Sequence, residues 1–220
     1  MARQDIERDL HTSPSQEIID FFETPTPPAV FAQFGPHGQV GADQWTQYRL
    51  VLGLPEIDLQ TKELMGLAVA ATKASDYMVG FQRWRLAALK VEAAEVSEAL
   101  AVASFFEGLD AFAHALHVDS EIRPHRLQTG DLSLIDKELD VNVPYVMQSD
   151  DALVQGVYDQ IRSTMGISFV PNIFKAMAHQ PAALGAKWQS YRTTMLDGKL
   201  RRLTKELIAV AVSAVNACFY

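Results

Sequence analysis

The chain repeats itself at a fixed offset. Pro28-Ala29-Val30-Phe31 matches Pro171-Asn172-Ile173-Phe174, and Trp45-Thr46-Gln47-Tyr48-Arg49 matches Trp188-Gln189-Ser190-Tyr191-Arg192. A third block, Thr61-Lys62-Glu63-Leu64-Met65-Gly66-Leu67-Ala68-Val69, falls without a gap on Thr204-Lys205-Glu206-Leu207-Ile208-Ala209-Val210-Ala211-Val212, and the register carries on to Tyr77 and Tyr220. Two copies of one helical unit imply a pseudo-symmetric pair that buries each other's apolar faces. The copies are not equivalent, because Ser75 of the first is replaced in the second by Cys218, the only cysteine of the chain.

With 220 residues, 48% of them hydrophobic, the chain has apolar surface enough for a globular core. Its 27 acidic against 19 basic residues, a net charge of −8, oppose the attraction that nucleic acids and anionic membranes exert on their binders, so neither partner is expected. The N-terminus lacks the apolar stretch of a secretory signal, and a single cysteine allows no internal disulfide, which fits a reducing cytoplasm. The longest apolar run, Leu207 to Tyr220, is too short to span a bilayer and contains Ser213 and Asn216.

The organisation follows from the periodicity. Residues 1–26 read as an arm with one short helix, outside the core. Residues 27–118 form the first repeat, with helices expected over Asp43–Gly53, Asp58–Lys73 and Asp76–Lys90. A longer one from Ala93 follows, in which Val96, Leu100, Ala103, Phe106, Leu109, Ala113 and Leu116 recur at three- and four-residue steps. Residues 119–150, polar and holding Pro124, Gly130 and Pro144, read as a linker. Residues 151–220 form the second repeat, with helices over Asp151–Met165, Val170–His179, Pro181–Leu196 and Leu203–Asn216. The fold class is an all-α bundle. The last helix reads as apolar on all sides and so as one that others surround. In the first copy the equivalent helix is followed by Met78 to Val118, which can cover it. The second copy has no such cover, so the sequence reads as the front part of a longer one, or as a subunit whose partner covers the exposed face.

The chemistry concentrates in the second copy. Cys218 follows Glu206 by twelve residues, about 120° apart in projection on a straight helix, so the two meet only if the helix ends near Asn216. In the first copy Ser75-Asp76 reads as a helix N-cap and first-turn acid. Cys218 would then cap a helix of its own, where unpaired N–H groups and the positive end of the dipole lower a thiol's pKa.

These residues resemble the alkylhydroperoxidase D and carboxymuconolactone decarboxylase family. Its thiol-active members carry a Glu, eleven intervening residues, then Cys-x-x-Cys-x-x-x-His. Here Glu206 through Cys218 and Tyr220 fill the front of that motif, with the lead-in Val170-Pro171-Asn172-Ile173-Phe174 through Trp188 and Tyr191. The resemblance extends to Ala101 through Leu109 of the first copy, where Ser75, Met78 and Gln82 stand in place of Cys, Cys and His. It implies an all-helical, homo-oligomeric protein that reduces a peroxide substrate with a dithiol, the sulfenic acid being resolved by the second thiol and the pair restored by a dithiol reductant. In that mechanism Glu206 is the carboxylate of the proton relay and Cys218 the first cysteine of the pair, the resolving one, so the chain as it stands, with one cysteine, is not expected to turn over through an internal disulfide. Tyr220 departs from members with His between the cysteines.

Plainer readings stand beside these. A lone cysteine on an apolar helix is more often a small buried hydrophobe than a nucleophile. Glu206 has a counterpart, Glu63, in the copy without a thiol, where a first-turn acid complements the helix dipole. Trp45, Tyr48, Trp188 and Tyr191 read as core anchors. His114 and His117, three apart on a mixed face, read as structural, and no metal or cofactor is expected. The alternative within the family is a lactone decarboxylase-like enzyme, or a non-catalytic oligomeric scaffold.

Overall fold

The computed structural model of the chain describes residues 14–32, 39–118, 143–196 and 198–220. Within them the chain is helical, as α1 (Pro14–Phe22), α2 (Ala29–Ala32), α3 (Gln39–Gly53), α4 (Leu59–Thr72), α5 (Asp76–Ala88), α6 (Ala93–Leu116), α7 (Ala152–Met165), α8 (Asn172–Met177), α9 (Pro181–Met195) and α10 (Arg202–Val215). No strand occurs among the described residues, so the all-α expectation holds. The chain divides into two compact units, Met1–Lys62 and Glu63–Tyr220. The start of the expected arm and most of the expected linker, residues 1–13 and 119–142, lie outside the described residues.

In the first unit α1 and α2 pack on α3. Phe31 meets Trp45 edge-on at 5.5 Å and Tyr48 at 5.2 Å, while Trp45 and Tyr48 stack at 6.1 Å. Edge-to-face and offset arrangements of this kind are the ones the ring quadrupole favours. The indole Nε1 of Trp45 donates to Glu17 on α1 at 2.9 Å. The arm reading is therefore corrected for residues 14–26, since Ile18 and Phe22 are both buried core of this unit. Short length and the Pro-rich stretch after it hide from sequence a helix that buries only one turn's worth of apolar side chains.

The same contacts recur at the repeat register, in the second unit. Phe174 meets Trp188 edge-on at 5.7 Å and Tyr191 at 6.4 Å, and Trp188 stacks on Tyr191 at 5.1 Å. Trp188 Nε1 donates to Gln160, the repeat counterpart of Glu17, at 3.0 Å. Arg192 also donates to Gln160, as its counterpart Arg49 pairs with Glu17. Both bounds of α10 are those of α4 displaced by the same offset. The end of the expected linker is bound rather than free: Tyr158 Oη donates to the Val146 carbonyl at 2.7 Å, and Val146 N to that of Lys175.

α6 is the organiser of the second unit, packing on α9 and most extensively on α10. Its 24 residues are apolar enough to match a membrane span in length and composition. Here that surface is used in packing, with Ala99, Val102, Ala103, Phe105, Leu109 and Ala113 buried. A capping box between Glu92 and Glu95 starts the helix, and His117 ends it in the left-handed region at φ 47°. Glu98 on α6 holds the loop before α10, accepting from Lys199 N at 2.8 Å and Leu200 N at 3.0 Å, and pairs with Lys205 at 3.1 Å. Lys205, fully buried, donates also to the Leu196 carbonyl. A buried ammonium is tolerated because both acceptors satisfy it. The expectation that α10 is enclosed on all sides is corrected: one face buries Thr204, Lys205, Ile208, Ala209 and Val212, while Leu203 and Val210 are 63% and 66% exposed.

Candidate active site

Cys218 is positioned by the way α10 stops. Asn216 is the C-cap, Ala217 adopts φ 52°, and Cys218 N donates back to the Ser213 carbonyl at 2.9 Å. A left-handed residue after a helix followed by a long backward bond is the usual reversal at a C-terminus, normally made by glycine. The same turn ends α4, with Ala74 at φ 50° and Ser75 N bonded to the Ala70 carbonyl at 3.0 Å. Ser75 there N-caps α5 by its backbone angles, although its side chain makes no capping bond.

Residues 218–220, which follow that turn, are not helical. The expected lowering of its pKa is corrected: burial pushes the Cys218 thiol up, against one backbone N–H from Tyr220, and the neighbouring Asp110 carboxylate raises it further. A thiol loses stability as its anion when water is removed and a negative charge faces it. Cys218 rests as a half-buried neutral thiol.

The environment of that thiol is a polar cluster between α6 and the end of α10. Asp110 is 6% exposed and accepts from Ser213 Oγ at 2.9 Å and from Asn216 Nδ2 at 3.1 Å. Asn216 Oδ1 in turn accepts from Lys73 Nζ at 3.2 Å. Glu107, Asp110, Ala111, His114 and Asn216 line a shallow open cleft of about 290 Å³. The His114 ring lies 5.1 Å from that of Phe219, and its buried Nε2 has no hydrogen-bond partner among the described residues. Sequence reasoning passed over Asp110 and assigned His114 a structural role. Asp110 sits on the buried stripe of α6, and only its polarity among apolar neighbours singles it out. No group of three or more His, Cys, Asp or Glu suited to a metal ion occurs among the described residues.

Glu206 lies in the second turn of α10, nine residues before the helix ends. Its side chain is partly exposed and accepts from Arg202 Nε at 3.2 Å, while Arg202 also donates to Tyr191 Oη. The helix does end at Asn216, the break that an approach of Glu206 to Cys218 requires.

The counterpart Glu63 is different again. It is 1% exposed and accepts from Arg85 Nε at 3.0 Å, with Arg85 itself buried. The dipole explanation for a first-turn acid therefore fails here, since Glu63 is the fifth residue of α4 and its partner comes from α5. One turn on, Gln82 of α5 packs where a Cβ on Gly66 would stand. Burial pushes the Glu63 carboxyl up against the opposing pull of Arg85, and neither Glu63 Oε2 nor Gln82 Oε1 has a hydrogen-bond partner among the described residues.

Residues 41–121, 81 of the 220, match the carboxymuconolactone decarboxylase family. That stretch is similar to a domain of the family. The matched stretch runs from α3 through α6 and includes Glu63, Ser75, Gln82, Arg85 and Asp110, while Cys218 lies beyond it. No curated protein and no solved structure matches the chain.

Proposed function

We propose that this protein is a thiol-dependent peroxide-reducing enzyme of the family, built from two copies of one helical unit, in which Cys218 of the second copy is the reacting group. The observation that carries the reading is the placement of the single thiol at the turn that ends α10, two residues after Asn216, which with Asp110 and His114 of α6 lines an open cleft. The sulfur attacks the outer oxygen of a hydroperoxide, the O–O bond breaks, an alcohol leaves, and Cys218 becomes a sulfenic acid. A dithiol reductant then forms a mixed disulfide with release of water, and its second thiol frees Cys218 as an internal disulfide forms in the reductant. This chemistry fits a reducing, cytoplasmic setting, and self-association into a homo-oligomer belongs to the same proposal.

A second reading has its own support. The matched stretch is the copy without a thiol, and it holds the buried Glu63, Arg85 and Gln82 cluster, which suits a decarboxylase-like enzyme or a non-catalytic scaffold. Turnover of an organic hydroperoxide with excess small dithiol separates the two. Loss of turnover in Cys218→Ser supports the thiol reading. Turnover unchanged in that variant overturns it and leaves the second.

A further inference from the structure

The face of α10 turned away from the core carries an apolar line. Leu203, Leu207, Val210 and Ala214 follow one another at steps of four, three and four, which sets them along one side of the helix, opposite its buried residues. Leu203 and Val210 are 63% and 66% exposed, Ala214 is exposed and Leu207 half-buried. The first copy shows that a helix belongs on this side. There the counterparts of Leu207 and Val210 are Leu64 and Leu67, both fully buried, and α5 packs on α4 with Arg85 on Glu63 and Gln82 against Gly66. Two differences at the repeat register suit α10 to another cover. Gln60 gives way to Leu203, which lengthens the apolar line by a turn, and Leu59 gives way to Arg202, which pairs with Glu206 from within α10. Glu206, unlike Glu63, therefore needs no arginine from the helix that covers it.

We propose that this line is a self-association surface, covered by α10 of a second copy of the chain running antiparallel to it about a two-fold axis. The inference rests on the self-association included in the reading above and names its surface. Steps of three and four are those of the seam along which two helices interlock their side chains. An axis at the middle of the line sets Leu203 opposite Ala214 of the partner subunit and Leu207 opposite Val210 of the partner subunit, so each larger side chain meets a smaller one. The charges favour the antiparallel sense. Glu206 then stands beside Ala211 of the partner subunit, so no two carboxylates meet. Arg201, exposed at the start of α10, comes to the end of the partner's helix, where the dipole is negative. A parallel pair would instead bring Arg201 and Arg202 of both copies to one end. α5 of a second copy is not the occupant, because it is engaged with α4 of its own chain.

Sedimentation equilibrium of the full chain from about 1 to 200 µM tests this, a range suited to a small interface. The unaltered chain should pass from monomer to dimer within it. Val210→Glu, at the centre of the line, should weaken the dimer by about 10²-fold or more, because the two-fold axis places the charge on the apolar seam twice. Leu203→Glu and Ala214→Lys should each weaken it by about tenfold. Mixed in equal amounts, those two variants should form a heterodimer about tenfold tighter than either makes alone, since the new carboxylate of one faces the new ammonium of the other. All three positions are exposed, so urea midpoints should match that of the unaltered chain. A dimer that Val210→Glu leaves intact overturns the surface while self-association stands. A heterodimer no tighter than its parents overturns the antiparallel pairing. A chain that stays monomeric throughout overturns the surface and the self-association together, and none of these results bears on peroxide turnover, which Cys218→Ser tests separately.

Discussion

Breaking the Glu63 and Arg85 pair from one side only should cost about 3–5 kcal/mol, because Glu63→Ala leaves a buried guanidinium without its carboxylate. The double variant Glu63→Met with Arg85→Leu should recover most of that loss, since apolar replacements of similar volume do not need to be solvated or paired. Urea unfolding of the three proteins measures both effects; a single variant that costs under about 1 kcal/mol would show that the pair is not sealed from water. The same residue sets a direction in pH. Glu63 has a raised pKa in the fold, so its protonated form is favoured there, and what it contributes is present at low pH and fades as pH rises through the folded value. At this scale sequence was least informative. Glu63 and Glu206 look alike in the repeat register, yet one is buried against Arg85 and the other is partly exposed beside Arg202, because the difference lies in what another helix brings.

The helices themselves were legible. α5, α6, α7, α9 and α10 lie within two residues of the expected bounds, because their caps, prolines and apolar periods are local signals. What joins them was not legible, as the Glu98 latch shows. Its three donors, Lys199 N, Leu200 N and Lys205 Nζ, belong to the far end of the chain, and nothing near Glu98 announces them. Partial burial alone would raise its pKa, but the Leu200 and Lys199 amides and Lys205 outweigh it and hold the carboxyl below its ordinary value. Its contribution is therefore present above the unfolded value of 4.5 and is lost as pH falls through the folded one. The chain should lose stability on acidification below about pH 4.5, and Glu98→Gln should flatten that part of the profile while lowering stability at pH 7 by about 1–3 kcal/mol. Thermal unfolding from pH 3 to 7 measures it. A profile of unchanged steepness in Glu98→Gln would assign the acid sensitivity elsewhere.

Across the whole molecule, the recurrence extends beyond matching letters to matching aromatic geometry, matching indole donors and two helix-ending turns of one kind. Within those matching turns the residue type differs, Ser75 standing in the first where Cys218 stands in the second. The candidate site is thus a product of the assembly. Cys218 was visible in the sequence as the one cysteine, and Asp110 was not, because its hydrogen bonds to Ser213 and Asn216 depend on α6 packing on α10. The central claim is that the fold makes this thiol reactive toward peroxide. The most direct measurement is the rate of sulfenic acid formation at Cys218 with one equivalent of cumene hydroperoxide, followed by dimedone trapping and mass spectrometry, in the native chain and in the same chain unfolded in urea. The account predicts one trapped sulfenic acid per chain, formed about 10²-fold faster in the native protein. Equal rates in the two states would contradict it.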